Sequence, residues 1–175
     1  MEKYFLVGAL VVATVAAVKD VRARRIPNWL TYSGIALALA ARPVLAGWPG
    51  LVDGLLGMLA AGGVFYLVFL MGGMGGGDVK LMAAVGAWAG TAQAMQVLIA
   101  TAIAGGVLAI GYLAFNRRIL IALSNTTELI RYHLASGLQP HPVLNLQQPG
   151  ALRIPYGLAI AIGTVYCTGT MFWRG

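Results

Sequence analysis

Residues 79–115 read VKLMAAVGAWAGTAQAMQVLIATAIAGGVLAIGYLAF, 37 residues in which Lys80 is the sole charge. One helical crossing of a hydrocarbon core about 30 Å thick takes roughly 20 residues. The stretch is too long for one crossing and reads as two, divided at the weak turn Gly90-Thr91-Ala92-Gln93. Working outward, apolar runs at about Tyr4 to Val18, Trp29 to Ala46, Gly54 to Met71 and Pro155 to Trp173 are each bounded by charges or by Gly and Pro. The pattern predicts an all-α, polytopic integral membrane protein with about six transmembrane helices, forming one membrane-embedded domain over residues 1–175.

Composition agrees with that reading. The chain is 59% hydrophobic and 10% charged, with mean hydropathy +0.81, whereas a soluble domain carries roughly a quarter charged residues. A soluble globule, a disordered chain, a collagen and a disulfide-stapled secreted domain are excluded together. Cys167 is the only cysteine and lies in an apolar run, so it forms no internal disulfide and no metal tetrad. The segment from about 116 to 153 differs: Arg117-Arg118 open a run in which Ile119, Leu120, Leu123, Leu129, Ile130 and Leu134 alternate irregularly with polar residues. It predicts a cytoplasmic amphipathic helix lying in the interface, then a connector around Pro140, Pro142 and Pro149.

A net charge of +7 would suggest nucleic acid on a soluble protein, but these cations sit between apolar runs, where bilayer orientation explains them and no nucleic-acid partner is expected. Lys19, Arg22, Arg24, Arg25, Lys80, Arg117, Arg118, Arg131 and Arg153 fall on one side, and Lys3, Arg42 and Arg174 on the other. The first group is placed in the cytoplasm, with the N- and C-termini outside. The opening run reads as a retained span and not a cleaved signal, because the basic cluster directly after it resists translocation.

Five carboxylates remain to be weighed: Glu2, Asp20, Asp53, Asp78 and Glu128. Glu2 and Glu128 read as solvated, and Asp53, before Gly54, as the N-cap of the third span on the outward side. Asp20 ends the first span. Asp78 follows Gly72-Gly73-Met74-Gly75-Gly76-Gly77, more glycine than capping a helix requires, and such a run lets another chain approach an acid closely. Both acids fall on the cytoplasmic side although neither entered the charge count. Acids at membrane helix ends are costly and are functional candidates by default. Two carboxylates brought together share one proton, so that one takes a proton from water while the other donates. This is the arrangement an aspartic peptidase needs.

The residues also resemble a known family. Gly75-Gly76-Gly77-Asp78 fits the Gly-x-Gly-Asp motif of intramembrane aspartic peptidases, and the continuation Val79-Lys80-Leu81-Met82-Ala83-Ala84-Val85-Gly86-Ala87-Trp88 resembles the type IV prepilin peptidases in particular. Asp20 with Pro27, in Arg25-Ile26-Pro27-Asn28-Trp29-Leu30-Thr31, is similar to that family's first aspartate segment, and Ile154-Pro155-Tyr156-Gly157-Leu158-Ala159-Ile160-Ala161 to its last-span motif. The resemblance implies Asp20 and Asp78 as the catalytic pair, supported by Gly75, Gly77, Lys80 and Pro27. It implies a multi-pass protein of the inner (cytoplasmic) membrane that cleaves the leader of a prepilin or pseudopilin substrate with a hydrophobic N-terminal helix. The chain looks like the short forms associated with tight-adherence (Tad/Flp) pili: the cysteine-bearing region of the larger, methylating members has no counterpart here, so N-methyltransferase activity is not expected.

Other chemistry is not expected. His133 and His141 lack a third ligand nearby, so no metal site is predicted, and no cofactor is implied. The glycine run lacks the Gly-Lys-Ser/Thr ending of a phosphate loop. Lys80 reads as an interface anchor, with an effect on Asp78 or on substrate as its other roles. The competing class is a non-catalytic scaffold or small ion or proton transporter. Its acids would sit more naturally at the midplane beside broken helices than together at one interface.

Overall fold

Pro27 turns the chain out of the first helix and into the second. Its φ and ψ of −66° and 137° are extended, and its carbonyl accepts the amides of Leu30 and Thr31 at 3.2 and 3.4 Å, so the helix that follows begins without a side-chain cap. In the computed structural model, which describes residues 2–146 and 155–173, six helices follow one another: α1 (Glu2–Ala23), α2 (Asn28–Leu70), α3 (Gly76–Ala89), α4 (Thr91–Phe115), α5 (Ile119–Ser136) and α6 (Tyr156–Trp173). No strand occurs among the described residues. The protein is all-α, and α1, α2 and α4 are long and apolar enough to cross a membrane.

The 43 residues of α2 would extend about 64 Å if straight, twice the hydrocarbon thickness. The helix instead breaks at Gly47, whose φ of 66° and ψ of −168° are closed to an ordinary L residue. Pro49, just beyond, offers no amide to continue the ladder. The two arms then run back along each other. A Cβ on Gly34, in the first arm, would lie 3.6 Å from Ala84, and one on Gly62, in the second, 2.8 Å from Ala83, so positions 28 residues apart meet neighbouring residues of α3. The two predicted spans from Trp29 and from Gly54 are these arms.

Helix α3 is the hub. Its Leu81, Met82, Ala84, Val85, Gly86, Ala87 and Ala89 are buried, with α1 and the two arms of α2 packed around it. At 14 residues it is about 21 Å long, less than a full crossing. A surrounding wall of protein makes that length tolerable, because its ends need not meet lipid. Close approach depends on small residues, as expected where lipid provides no hydrophobic drive between helices: a Cβ on Gly57 would sit 2.5 Å from the Gly86 carbonyl. The turn predicted at Gly90 is present, with φ of 80°, and it separates α3 from α4.

Two sequence expectations are corrected at the end of the bundle where Gly47 and Gly90 lie. Asp53 does not cap its own helix. It lies beyond the first turn of the second arm, where its Oδ1 accepts the Thr91 amide at 2.9 Å and its Oδ2 accepts from Arg42 Nη1 at 2.8 Å. It therefore satisfies the start of α4 instead of the start of α2. Arg42, counted among the cations of the outward side, is 3% exposed and not solvated. Its Nε donates to the Ala87 carbonyl at 2.8 Å and its Nη2 to that of Trp88 at 2.9 Å, so it closes the negative C-terminal end of α3. It also stacks over the Phe5 ring at 4.7 Å.

The segment expected to be amphipathic forms helix α5, which has no buried residue and touches α4. Part of the connector after it folds onto the glycine run, where the Leu146 amide donates to the Gly72 carbonyl at 3.0 Å. Pro149 and Arg153 lie outside the described residues, as do Ile154 and Arg174.

Candidate active site

Asp20 sits in the last turn of α1 and is 7% exposed, one turn after the buried core residues Ala16 and Ala17. Its carboxylate accepts a hydrogen bond from far along the chain: the Gly157 amide, in the first turn of α6, donates to Oδ2 at 2.9 Å. First-turn amides of a helix have no partner within it, so Asp20 satisfies one that would otherwise be stranded in the core. Arg24, one turn on, adds a favourable charge. It ends α1 at φ of 49°, and its amide returns to the Asp20 carbonyl at 2.7 Å.

Asp78 belongs to the first turn of α3, but it is not the N-cap. The helix begins at Gly76, with Gly75 as the cap, and the Asp78 amide already donates to the Gly75 carbonyl at 3.1 Å. Its carboxyl folds back over Gly75, where a Cβ would lie 3.1 Å from Oδ2. Gly77 performs a similar service for the other loop: a Cβ there would meet Ile26 at 3.3 Å, beside Pro27. The glycine run thus lets the Pro27 segment and the Asp78 segment approach each other. Positive φ is needed only at Gly72, at 77°.

The two acids meet. Asp20 and Asp78 lie close enough for their charges to interact, at the end of the bundle opposite Arg42 and Asp53. Tyr156, next to Gly157, is also within the field of Asp78. Its ring lies edge-on to Phe65 with centroids 6.0 Å apart. The site is therefore built from α1, α3 and α6, with α2 behind it.

This arrangement agrees with what else the chain is similar to. The family model of the type IV leader peptidases matches residues 7–110. The chain belongs to the type IV leader peptidase family. No curated protein and no solved structure matches it significantly. The family match makes the chain a peptidase of the leader-peptidase kind, and the matched residues include both aspartates and the glycine run. They stop short of α5 and α6.

The remaining predicted residues occupy varied places in this leader peptidase. Lys80 turns away from the acids: its Nζ donates to Asn28 Oδ1 at 3.0 Å and lies over the Tyr32 ring at 5.3 Å, joining α3 to the start of α2. His141 Nδ1 accepts the Val143 and Leu144 amides at 3.2 and 2.9 Å, so it organises the connector. His133 packs edge-on to Tyr132. Among the described residues no three His, Cys, Asp or Glu side chains gather at one point. Sequence reasoning gave Tyr156 and Gly157 no individual role. The available signal was the last-span motif, whose Gly157 has a structural reason only once Asp20 is seen beside it.

Proposed function

We propose that this protein is an aspartic endopeptidase of the cytoplasmic membrane, in which Asp20 and Asp78 act as one pair to remove the leader from a prepilin-like substrate. The observation that carries the proposal is that these two acids, from α1 and α3, lie within each other's electrostatic field at the same end of the bundle. Carboxylates within each other's field do not both ionise cheaply, so the pair holds one proton between them. The ionised member takes a proton from water as the water oxygen attacks the scissile carbonyl. The protonated member donates to the amide nitrogen as the C–N bond breaks, and the site turns over without a covalent intermediate.

The proposed substrate is a prepilin or pseudopilin of the tight-adherence (Tad/Flp) type. A hydrophobic N-terminal helix anchors it in the same bilayer and brings its leader to the cytoplasmic face, so confinement replaces a deep specificity pocket. The cytoplasmic placement is supported by the basic residues Lys19, Arg22, Arg24 and Arg25 around Asp20. Both termini then face outward, in keeping with the Lys3 Nζ that lies 5.6 Å from the Phe172 ring centroid at the far end of the bundle.

The test is cleavage of an Flp-type prepilin in lipid by the wild type, Asp20→Ala and Asp78→Ala, with the product's N-terminus read by mass spectrometry. Wild-type cleavage lost in both variants, with an unmethylated product, is the expected result. Retained processing in either inserted variant overturns the aspartic mechanism.

A further inference from the structure

The first turn of α6 enters the site through two consecutive residues, and the family match, ending at residue 110, assigns them nothing. Gly157 holds Asp20 by its amide at 2.9 Å across 137 residues of chain. A carboxylate tethered at one oxygen by a backbone amide keeps a fixed orientation. The absence of a side chain matters as much as the amide. A Cβ at Gly157 would lie 2.9 Å from Asp20 Oδ2, 3.1 Å from its Cβ and 3.3 Å from its Cγ, so any larger residue displaces the carboxylate.

The turn itself is held from two sides. The Tyr156 ring meets Phe65 of α2 edge-on, its centroid 6.0 Å away. Its hydroxyl occupies the space left by Gly105 of α4, where a Cβ would come within 2.7 Å of it. Tyr156 thus wedges the start of α6 between two other helices and sets the depth at which the next amide meets Asp20.

We propose that Tyr156 and Gly157 form the positioning element of the site: Gly157 orients Asp20 toward Asp78, and the Tyr156 wedge fixes Gly157. The inference rests on the aspartic reading above and adds two residues to it, neither of which touches the reacting bond.

The test is steady-state cleavage of an Flp-type prepilin by the full-length protein in lipid, corrected for folded enzyme. Gly157→Ala is expected to lower kcat by about a hundredfold, the cost of misplacing a catalytic group by roughly 1 Å, with KM unchanged. Gly163→Ala is the control on the same helix. Its Cβ would meet Thr101 Oγ1 at 2.5 Å and the Thr101 amide nitrogen at 2.7 Å, so it lowers the unfolding midpoint while kcat per folded molecule stays at the wild-type value. Should Gly157→Ala fail to fold, Tyr156→Ala removes the wedge without adding atoms and lowers kcat with KM unchanged, whereas Tyr156→Phe keeps the ring against Phe65, loses only the hydroxyl beside Gly105 and lowers kcat less. Wild-type kcat in Gly157→Ala or Tyr156→Ala, or a change confined to KM, overturns the inference while an inactive Asp20→Asn leaves the aspartic reading standing. An active Asp20→Asn, or a wild type that leaves prepilin intact, removes both.

Discussion

Arg42 Nη1 lies 2.8 Å from Asp53 Oδ2, and this pair bridges the two arms of α2 just where Gly47 reverses the chain. The guanidinium is buried while the carboxylate side chain is 48% exposed, so the arginine carries most of the desolvation. It is compensated by three backbone carbonyls, those of Gly50, Ala87 and Trp88. Removing it strands them together with Asp53. Arg42→Leu is therefore expected to cost about 3 kcal/mol or more, as when one partner of a buried pair is lost, read as a lower unfolding midpoint in detergent. Asp53→Asn keeps an acceptor for the Thr91 amide and lies at the end away from the aspartate pair. Prepilin cleavage per folded molecule is expected to survive it.

Glycines in different surroundings should respond oppositely to a methyl group. Gly57→Ala places a Cβ 2.5 Å from the Gly86 carbonyl, whereas Gly63 and Gly106 have nothing within 4 Å of theirs. Gly57→Ala is expected to destabilise by about 1 to 3 kcal/mol through overpacking. Gly63→Ala and Gly106→Ala gain up to about 1 kcal/mol of helix preference. Thermal unfolding of the three variants in one detergent checks the order.

Lys80 is bonded to Asn28 and not to either acid. Its bond is exposed, so Lys80→Gln is expected to cost no more than about 1 kcal/mol and to leave kcat near wild type. A large loss of kcat with unchanged stability would give Lys80 a part in the chemistry.

Each aspartate contributes proton transfer, for which factors of about 10² to 10⁴ are ordinary. Asp20→Asn and Asp78→Asn are expected to lose at least that much cleavage while inserting normally. Either carboxamide ends the competition between two acids for one charge, so neither variant should unfold at a lower temperature than wild type.

Topology has its own check. In a Cys167→Ala background, Trp48→Cys, beside the Gly47 reversal and 71% exposed in the wild type, is expected to react with an impermeant maleimide on intact cells. Arg25→Cys, in the turn after Asp20, is expected to react only after permeabilisation. The reverse pattern would turn the site outward.

Helix content, the six apolar runs and the break at Gly90 were legible because each is written within a short window of apolar periodicity and turn residues. The two acids were legible for a related reason: carboxylates are so scarce in this chain that each one asks for an explanation. The Arg42 and Asp53 pair was not legible, since a loop cation and a helix cap are the ordinary readings of such residues, and only the reversal at Gly47 puts them face to face. The register of Asp78 was also hidden. Gly76 and Gly77 are poor helix formers, yet the helix already begins there, because contact with Ile26 and the neighbouring arm outweighs local preference. Gly157 escaped notice because its function is the absence of a side chain.

The bond between Gly157 and Asp20 also bears on biogenesis. Asp20 and Asp78 emerge from the ribosome early, but the amide that holds Asp20 belongs to α6, made after α1 to α5. An arrested or truncated chain ending in α5 would insert with both acids present and the site unfinished. Maturation of the site therefore waits on the synthesis of α6.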